Sequence, residues 1–423
     1  MKNKIAQDML KFIEKSPSAF HAVENLCQLY LDKGYEQLDE KAVWALKKGG
    51  KYFAVRNQSA LIAFAIPDGE ICGFHMTSSH SDSPTFKVKE NPEMAVEDHY
   101  IKLNTEKYGG MIHSTWMDRP LSVAGRVTVL EDGKVLSKLV NVDKDLLVIP
   151  SVAIHMNREV NNGVALNPQV DLLPLFAGDG KKDTFMKTVA KAAGVKEADI
   201  LSHDLFLYVR DKGRTLGRDG EFVLSPKLDD LQCVYASTVA MIESKPVNYI
   251  NICAVFDNEE VGSGTKQGAD STFLEDVLCR IGEGLELSGS EYCRLIADSF
   301  MISADNGHAV HPNHPEKADP TNRPYINGGI VIKYHGSQKY ATDAMSAGVL
   351  KSLCKEADVP CQTYANRSDI AGGSTLGNIS TAHVSVPTVD IGLPQLAMHS
   401  AVETGGTLDT QYAVKMFKVF YGK

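Results

Sequence analysis

The run Phe256-Asp257-Asn258-Glu259-Glu260-Val261-Gly262-Ser263 constrains this chain most, because it sets adjacent carboxylates where the apolar, strand-like stretch Tyr249 to Phe256 gives way to a turn. Ionised carboxylates at the mouth of a buried strand are costly unless a cation or hydrogen bonds compensate, and neighbouring like charges push one pKa upward. A bound cation answers both difficulties. One glutamate then ligates while its neighbour acts as general base toward a metal-activated water. The competing reading is a solvated acidic turn closing a hairpin.

Residues of ligand type recur in similar settings. His80 lies at the exit of Gly73-Phe74-His75-Met76-Thr77-Ser78-Ser79-His80, after the strand-like Ala60 to Ile66, and Asp82 follows two residues on. A His-x-Asp spacing supplies locally the carboxylate that orients a ligand imidazole, although a lone histidine is also a common structural residue. Pro226-Lys227-Leu228-Asp229-Asp230-Leu231 opens a helix-like stretch reaching Ile242, where either aspartate also suits a simple cap. Met301 to Asp305 ends another apolar strand, and Leu396-Ala397-Met398-His399-Ser400 follows the strand-like Val386 to Ile391. Separated carboxylate and imidazole donors at strand ends are what a two-metal hydrolase site in an α/β fold requires.

These segments, in this order, resemble the M18 family of metallo-aminopeptidases, the family of aspartyl aminopeptidase, over nearly the whole chain. The resemblance rests on Ser16-Pro17-Ser18-Ala19-Phe20-His21-Ala22-Val23, with Ala19 where many members carry proline, and on His80-Ser81-Asp82-Ser83-Pro84, Pro226-Lys227-Leu228-Asp229, Asp257 to Ser263, Ser303-Ala304-Asp305 with His308 to Asn313, and Gln395 to Ser400. It implies two divalent metal ions, usually Zn²⁺ with Mn²⁺ or Co²⁺ as alternatives, bridged by Asp229. His80 and Asp305 would complete one site, Glu260 and His399 the other. Glu259 would be the general base and Asp82 would orient His80. It also implies that His155, in Val148 to Asn157, reaches a neighbouring protomer's cleft, and that Lys333 contacts substrate. Consecutive residues of an extended chain point to opposite faces, which would keep Glu259 and Glu260 from competing for one site.

The chain's organisation suggests an α/β fold, a mixed sheet flanked by helices, with a mainly β domain inserted. Strand-like Tyr249 to Phe256, Tyr292 to Ala304, Val359 to Ala365 and Val386 to Ile391 alternate with helical patterns, whereas Ala124 to Leu130 and Val135 to Leu139 flank the hairpin turn Glu131-Asp132-Gly133-Lys134. Residues 1–86 and 220–423 are therefore expected to form a discontinuous catalytic domain, and 87–219 the insert. In the family the insert builds dimers that assemble into a dodecamer. Met1 to Tyr35 reads as amphipathic helix broken at Ser16-Pro17-Ser18, and not as a signal peptide. A balance of 44 basic against 53 acidic residues, a net charge of −9, disfavours nucleic acid and anionic membranes as partners. Eight cysteines without a Cys-x-x-Cys pair, most among apolar neighbours, read as reduced core residues of a cytoplasmic protein. Ala371 to Gly377 lacks the Gly-Lys-Ser/Thr ending and the strand-loop-helix frame of a phosphate loop, and His308, His311 and His314 are interrupted by prolines.

The expected activity is removal of N-terminal residues, acidic ones preferred, from peptides. The alternatives are a related dinuclear deacylase or dipeptidase, and an inactive assembly protein on the same scaffold.

Overall fold

The computed structural model describes residues 3–423, so the helical reading of Met1 and Lys2 lies outside the described residues. A nine-stranded mixed sheet takes its strands in the order Glu36–Leu38, Lys51–Arg56, Ala60–Ala65, Tyr249–Phe256, Gly73–His80, Phe300–Ala304, Thr388–Gly392, Ile330–Tyr334 and Cys361–Ala365. Its four middle members, Tyr249–Phe256, Gly73–His80, Phe300–Ala304 and Thr388–Gly392, run parallel. Their carboxyl ends therefore open along one edge, the usual place for a site in such sheets.

Both faces of this sheet are buried, which is why its strands read as continuous apolar runs. Leu61, Ala63 and Ala65 face one core, roofed by Lys4–Glu14, Ala19–Leu31, Leu228–Glu243, Ala344–Glu356 and Asp409–Tyr421. Ile62, Phe64 and Ile66 face the other, beneath Phe273–Gly284, Gly289–Ala297 and Leu376–His383.

A second sheet is antiparallel, with strands Lys134–Asn141, Leu121–Glu131, Ile200–Val209, Thr85–Val96, Tyr100–Tyr108 and Leu175–Ala177 in that order. It encloses a core of its own around Phe86, Trp116, Leu121, Leu147 and Phe185. A third sheet joins Arg214–Leu216 and Phe222–Ser225 to Glu403–Gly406, Pro394–Leu396 and Gly307–His308.

Three expectations fail locally. Tyr292 to Ala304 is not one strand. A reciprocal cap between Ser288 and Glu291 starts a helix at Gly289, which runs to Ala297 before the strand Phe300–Ala304 begins. Ala371 to Gly377 does sit between a strand, Cys361–Ala365, and a helix, Leu376–His383, although Thr375 spends its hydroxyl on Asp390 at 2.6 Å. The cysteines are all free, but only Cys233, Cys253 and Cys354 are buried; Cys279, Cys293 and Cys361 are exposed. Amphipathic helices and a strand's first residue show a side chain to solvent even in an apolar neighbourhood.

Candidate metal centre

His80 closes its strand, and Asp229, second residue of the helix Leu228–Glu243, has non-helical backbone, φ −82° and ψ 108°, that carries its carboxylate into the open edge. Nε2 of His80 lies 3.6 Å from Oδ1 of Asp229 and 3.9 Å from Oδ1 of Asp305, just past Phe300–Ala304. The other oxygen of Asp229, Oδ2, lies 3.5 Å from Nε2 of His399, which in turn is 3.3 Å from Oε2 of Glu260. Two triads result, His80 with Asp229 and Asp305, and Asp229 with Glu260 and His399; in each, one donor atom per residue lies within 4.8 Å of the others. Ligands held about 2.0–2.1 Å from a tetrahedral zinc sit roughly 3.3 Å apart, so the spacings suit metal coordination after small adjustments.

A third grouping joins His80 to Glu259 and Glu260. The two glutamates lie on a single 3-10 turn, Glu259–Val261, so the expectation of opposite faces on an extended chain is wrong. The turn follows Asn258, held at φ +61°. Both carboxylates are thereby swung toward the same edge.

Asp82 ties these parts together. Nδ1 of His80 donates to its carbonyl oxygen at 3.1 Å and lies 3.3 Å from its Oδ1. Its carboxylate accepts the backbone N–H groups of Glu259 and Glu260, each at 3.2 Å, and the hydroxyl of Tyr108 at 2.7 Å. Tyr108 also accepts from Nδ2 of Asn258 at 2.7 Å. Glu403 plays the matching part on the far side, accepting from the backbone of Asp229 at 3.1 Å and of His399 at 2.8 Å. Nδ1 of His399 donates to the carbonyl of Gly110 at 2.6 Å, which leaves Nε2 free to ligate.

Sequence reading missed Tyr108 and Glu403. Neither has a local signal, since Tyr108 meets Asp82 across 26 positions and Glu403 meets Asp229 across 174. Lys333 is buried on the strand Ile330–Tyr334, with Nζ 3.6 Å from Oδ2 of Asp305. His155 is exposed on the segment 150–164 and shares none of the contacts that join the other candidates.

The electrostatics call for cations. Burial, with mutual repulsion added, raises Glu259, pushes Glu260 and Asp305 well above the usual carboxylate range and lifts Asp230 and Glu403 each to about 8. Burial would also raise Asp229, but the imidazoles of His399 and His80 beside it outweigh that and hold its carboxyl far below. Oδ1 of Asp229 and Oε1 of Glu260 are buried without a hydrogen-bond partner. Orphaned carboxylate oxygens amid excess negative charge fit divalent ions, and the imidazole-carboxylate set suits zinc.

The profile of the aminopeptidase I zinc metalloprotease (M18) family matches residues 12–421. The chain belongs to the M18 family. It is therefore a metallo-aminopeptidase, a hydrolase of peptide bonds. A probable M18 family aminopeptidase 2 of Clostridium novyi is 48% identical, with the alignment covering 100% of both chains. A chain of the Ape4 and Nbr1 complex superposes with a TM-score of 0.95 at 35% identity, covering 99% of this chain and 85% of that one. The S. cerevisiae mApe1 dodecamer gives a TM-score of 0.86 at 26% identity, covering 99% and 96%. The M18 match spans every residue of this centre, from His80 to Glu403.

Proposed function

We propose that this M18 aminopeptidase holds two divalent ions, zinc foremost with Mn²⁺ or Co²⁺ as substitutes, and releases N-terminal residues from peptides. The carrying observation is that Asp229 turns one oxygen toward each triad. His80 and Asp305 complete one set, Glu260 and His399 the other. The ions, when bound, supply Lewis acidity toward the scissile carbonyl and acidify water at the site. Glu259 takes the proton of the attacking water and delivers it to the leaving amine. Asp82 fixes the His80 ring and, through the backbone of Glu259, the position of that base. The surrounding carboxylates anchor the free α-amino group of the substrate, which accounts for exopeptidase action. Release of amino acids from a panel of aminoacyl peptides, with Zn²⁺, Mn²⁺ or Co²⁺ restored to chelated protein, tests the reading; no release with any metal sinks it.

The finer assignments belong to the same proposal. Once Asp305 serves a metal ion, the ammonium of Lys333 is available to an acidic substrate side chain, so Asp or Glu at the N-terminus is preferred over Leu. Equal or faster cleavage of Leu peptides overturns that preference. Residues 87–219 form a dimerisation unit inserted into a catalytic unit of residues 1–86 and 220–423, dimers assemble into a dodecamer, and the enzyme works in the cytoplasm. Val152, Ile154 and Met156, exposed by 53%, 45% and 84%, flank His155 and supply an apolar face for a second copy. From that face His155 reaches the neighbouring cleft and stabilises the oxyanion. Mixing His155→Ala with Glu259→Gln protein restores activity if the site is shared, and restores none despite confirmed subunit exchange if it is not.

A further inference from the structure

A cavity of about 430 Å³ lies at the seam between the nine-stranded and six-stranded sheets. Among the described residues, His80, Glu259, Glu260, Asp305, Lys333 and His399 are absent from its walls, which touch the metal centre through Asp82, Tyr108, Asp229, Asn258 and Glu403. The cavity thus adjoins the metal centre but contains neither the proposed base Glu259 nor the proposed substrate contact Lys333. Its volume is in the range of small-molecule sites, and such sites combine apolar and aromatic walls with a few placed polar groups.

The walls have that composition. Phe206 and Tyr208 line it from the strand Ile200–Val209, with Phe20 and Trp116. The guanidinium of Arg126 lies 4.3 Å from the ring centre of Phe20, and Nζ of Lys87 lies 5.7 Å from that of Phe206. Both cations are matched by one carboxylate, since Lys87 and Arg126 each reach Asp204 at 3.0 Å. Lys227 differs. Its Nζ lies 5.7 Å from the ring centre of Tyr208 and donates to the carbonyl oxygen of Ser16 at 3.0 Å, but among the described residues no carboxylate pairs with it. A partly buried ammonium satisfied by one neutral carbonyl retains donors for an anion. Cations already lie over Phe20, Phe206 and Tyr208, which disfavours a cationic occupant.

We propose that this cavity is a second small-molecule site that takes an apolar monoanion of the medium-chain or aryl carboxylate class. The carboxylate sits on Lys227 and the apolar body packs along Phe206, Trp116 and Phe20. The test is titration calorimetry on the metal-loaded protein with octanoate, octanol and octylamine as probes. One octanoate is expected to bind per chain, about tenfold or more tighter than octanol, consistent with a charge pair in a partly desolvated site. Octylamine is expected to give no heat. Chelation of the metals should leave octanoate binding unchanged, whereas Lys227→Gln should reduce it to the level of octanol. Ala19→Phe, which places a ring in the cavity from the first turn of Ala19–Leu31, should abolish it, and keeps the test open if Lys227→Gln folds poorly. The proposal is overturned by absent octanoate binding, by octanol or octylamine binding as tightly, by persistence in Ala19→Phe, or by loss on chelation, which places the carboxylate on the metals.

Discussion

At Glu260, Oε1 is buried without a donor while Oε2 faces His399, the surroundings of a ligand; Glu259 joins only the grouping with His80 and Glu260. Glu259→Gln should therefore keep both metals and lose about 10²–10⁴-fold or more in kcat, the scale of general-base removal. Glu260→Gln should lose one metal, because a neutral amide ligates a divalent cation less well than a carboxylate. Metal content by atomic spectroscopy beside kcat decides, and a metal missing from the Glu259 variant alone reverses the roles. Tyr108→Phe removes the 2.7 Å hydrogen bond to Asp82. Hydrogen bonds to charged groups contribute about 1.5–3 kcal/mol, so kcat should fall by roughly tenfold or more with both metals retained. Unchanged kcat would make the contact incidental. The candidate ligands His80, Glu260 and Asp305 were legible because each stands at or just past the end of an apolar run, and Asp229 and His399 chiefly through the family resemblance; Tyr108 and Glu403 were not, because their partners are distant in the chain.

Among the elements, the loop after the strand Tyr100–Tyr108 presses on the metal centre. Gly109 has φ +77°, and a Cβ there would lie 3.1 Å from Cβ of Glu260 and 3.2 Å from its carbonyl oxygen. Gly109→Val should displace the 3-10 turn and weaken metal binding, read as incomplete loading at limiting zinc; full loading would show that the loop can yield. A second element-scale prediction concerns Asp409, the first residue of Asp409–Tyr421. Burial lifts its pKa from 3.8 to about 7 despite hydrogen bonds from the backbone of Asn327 at 2.8 Å and Gly329 at 3.0 Å. The unfolded chain gives up this proton near pH 4 and the folded chain near pH 7, so the group's contribution is complete below pH 4 and is lost as pH rises to about 7. Asp409→Asn should flatten that part of the pH dependence of the urea midpoint; an identical slope in the variant refutes the assignment. Element types were mostly readable from the sequence, and the error at Tyr292 to Ala304 has a local cause. Tyr292, Leu295 and Ile296 pack against a core at helical spacing, and the cap pair Ser288 and Glu291 outweighs their β propensity.

At the scale of the molecule, the triads draw on five separate segments around residues 80, 229, 260, 305 and 399, so bound ions act as cross-links that exist only in the folded state. At an ion concentration about 1,000 times Kd, binding by the native state alone adds about 4 kcal/mol. Chelation should accordingly lower Tm by several degrees, and metal restored after cooling should recover it; an unchanged Tm would mean that the centre carries no such linkage. The parallel strand order around the site was beyond sequence reasoning, since periodicity reports which residues are buried and not which strands become neighbours. The same scatter of donors governs when the enzyme becomes active. On a ribosome the chain presents His80 early, but the second triad cannot close until His399 has been made and Glu403 is there to hold its backbone. On this reading a nascent chain cannot trim its own N-terminus until its synthesis is nearly complete.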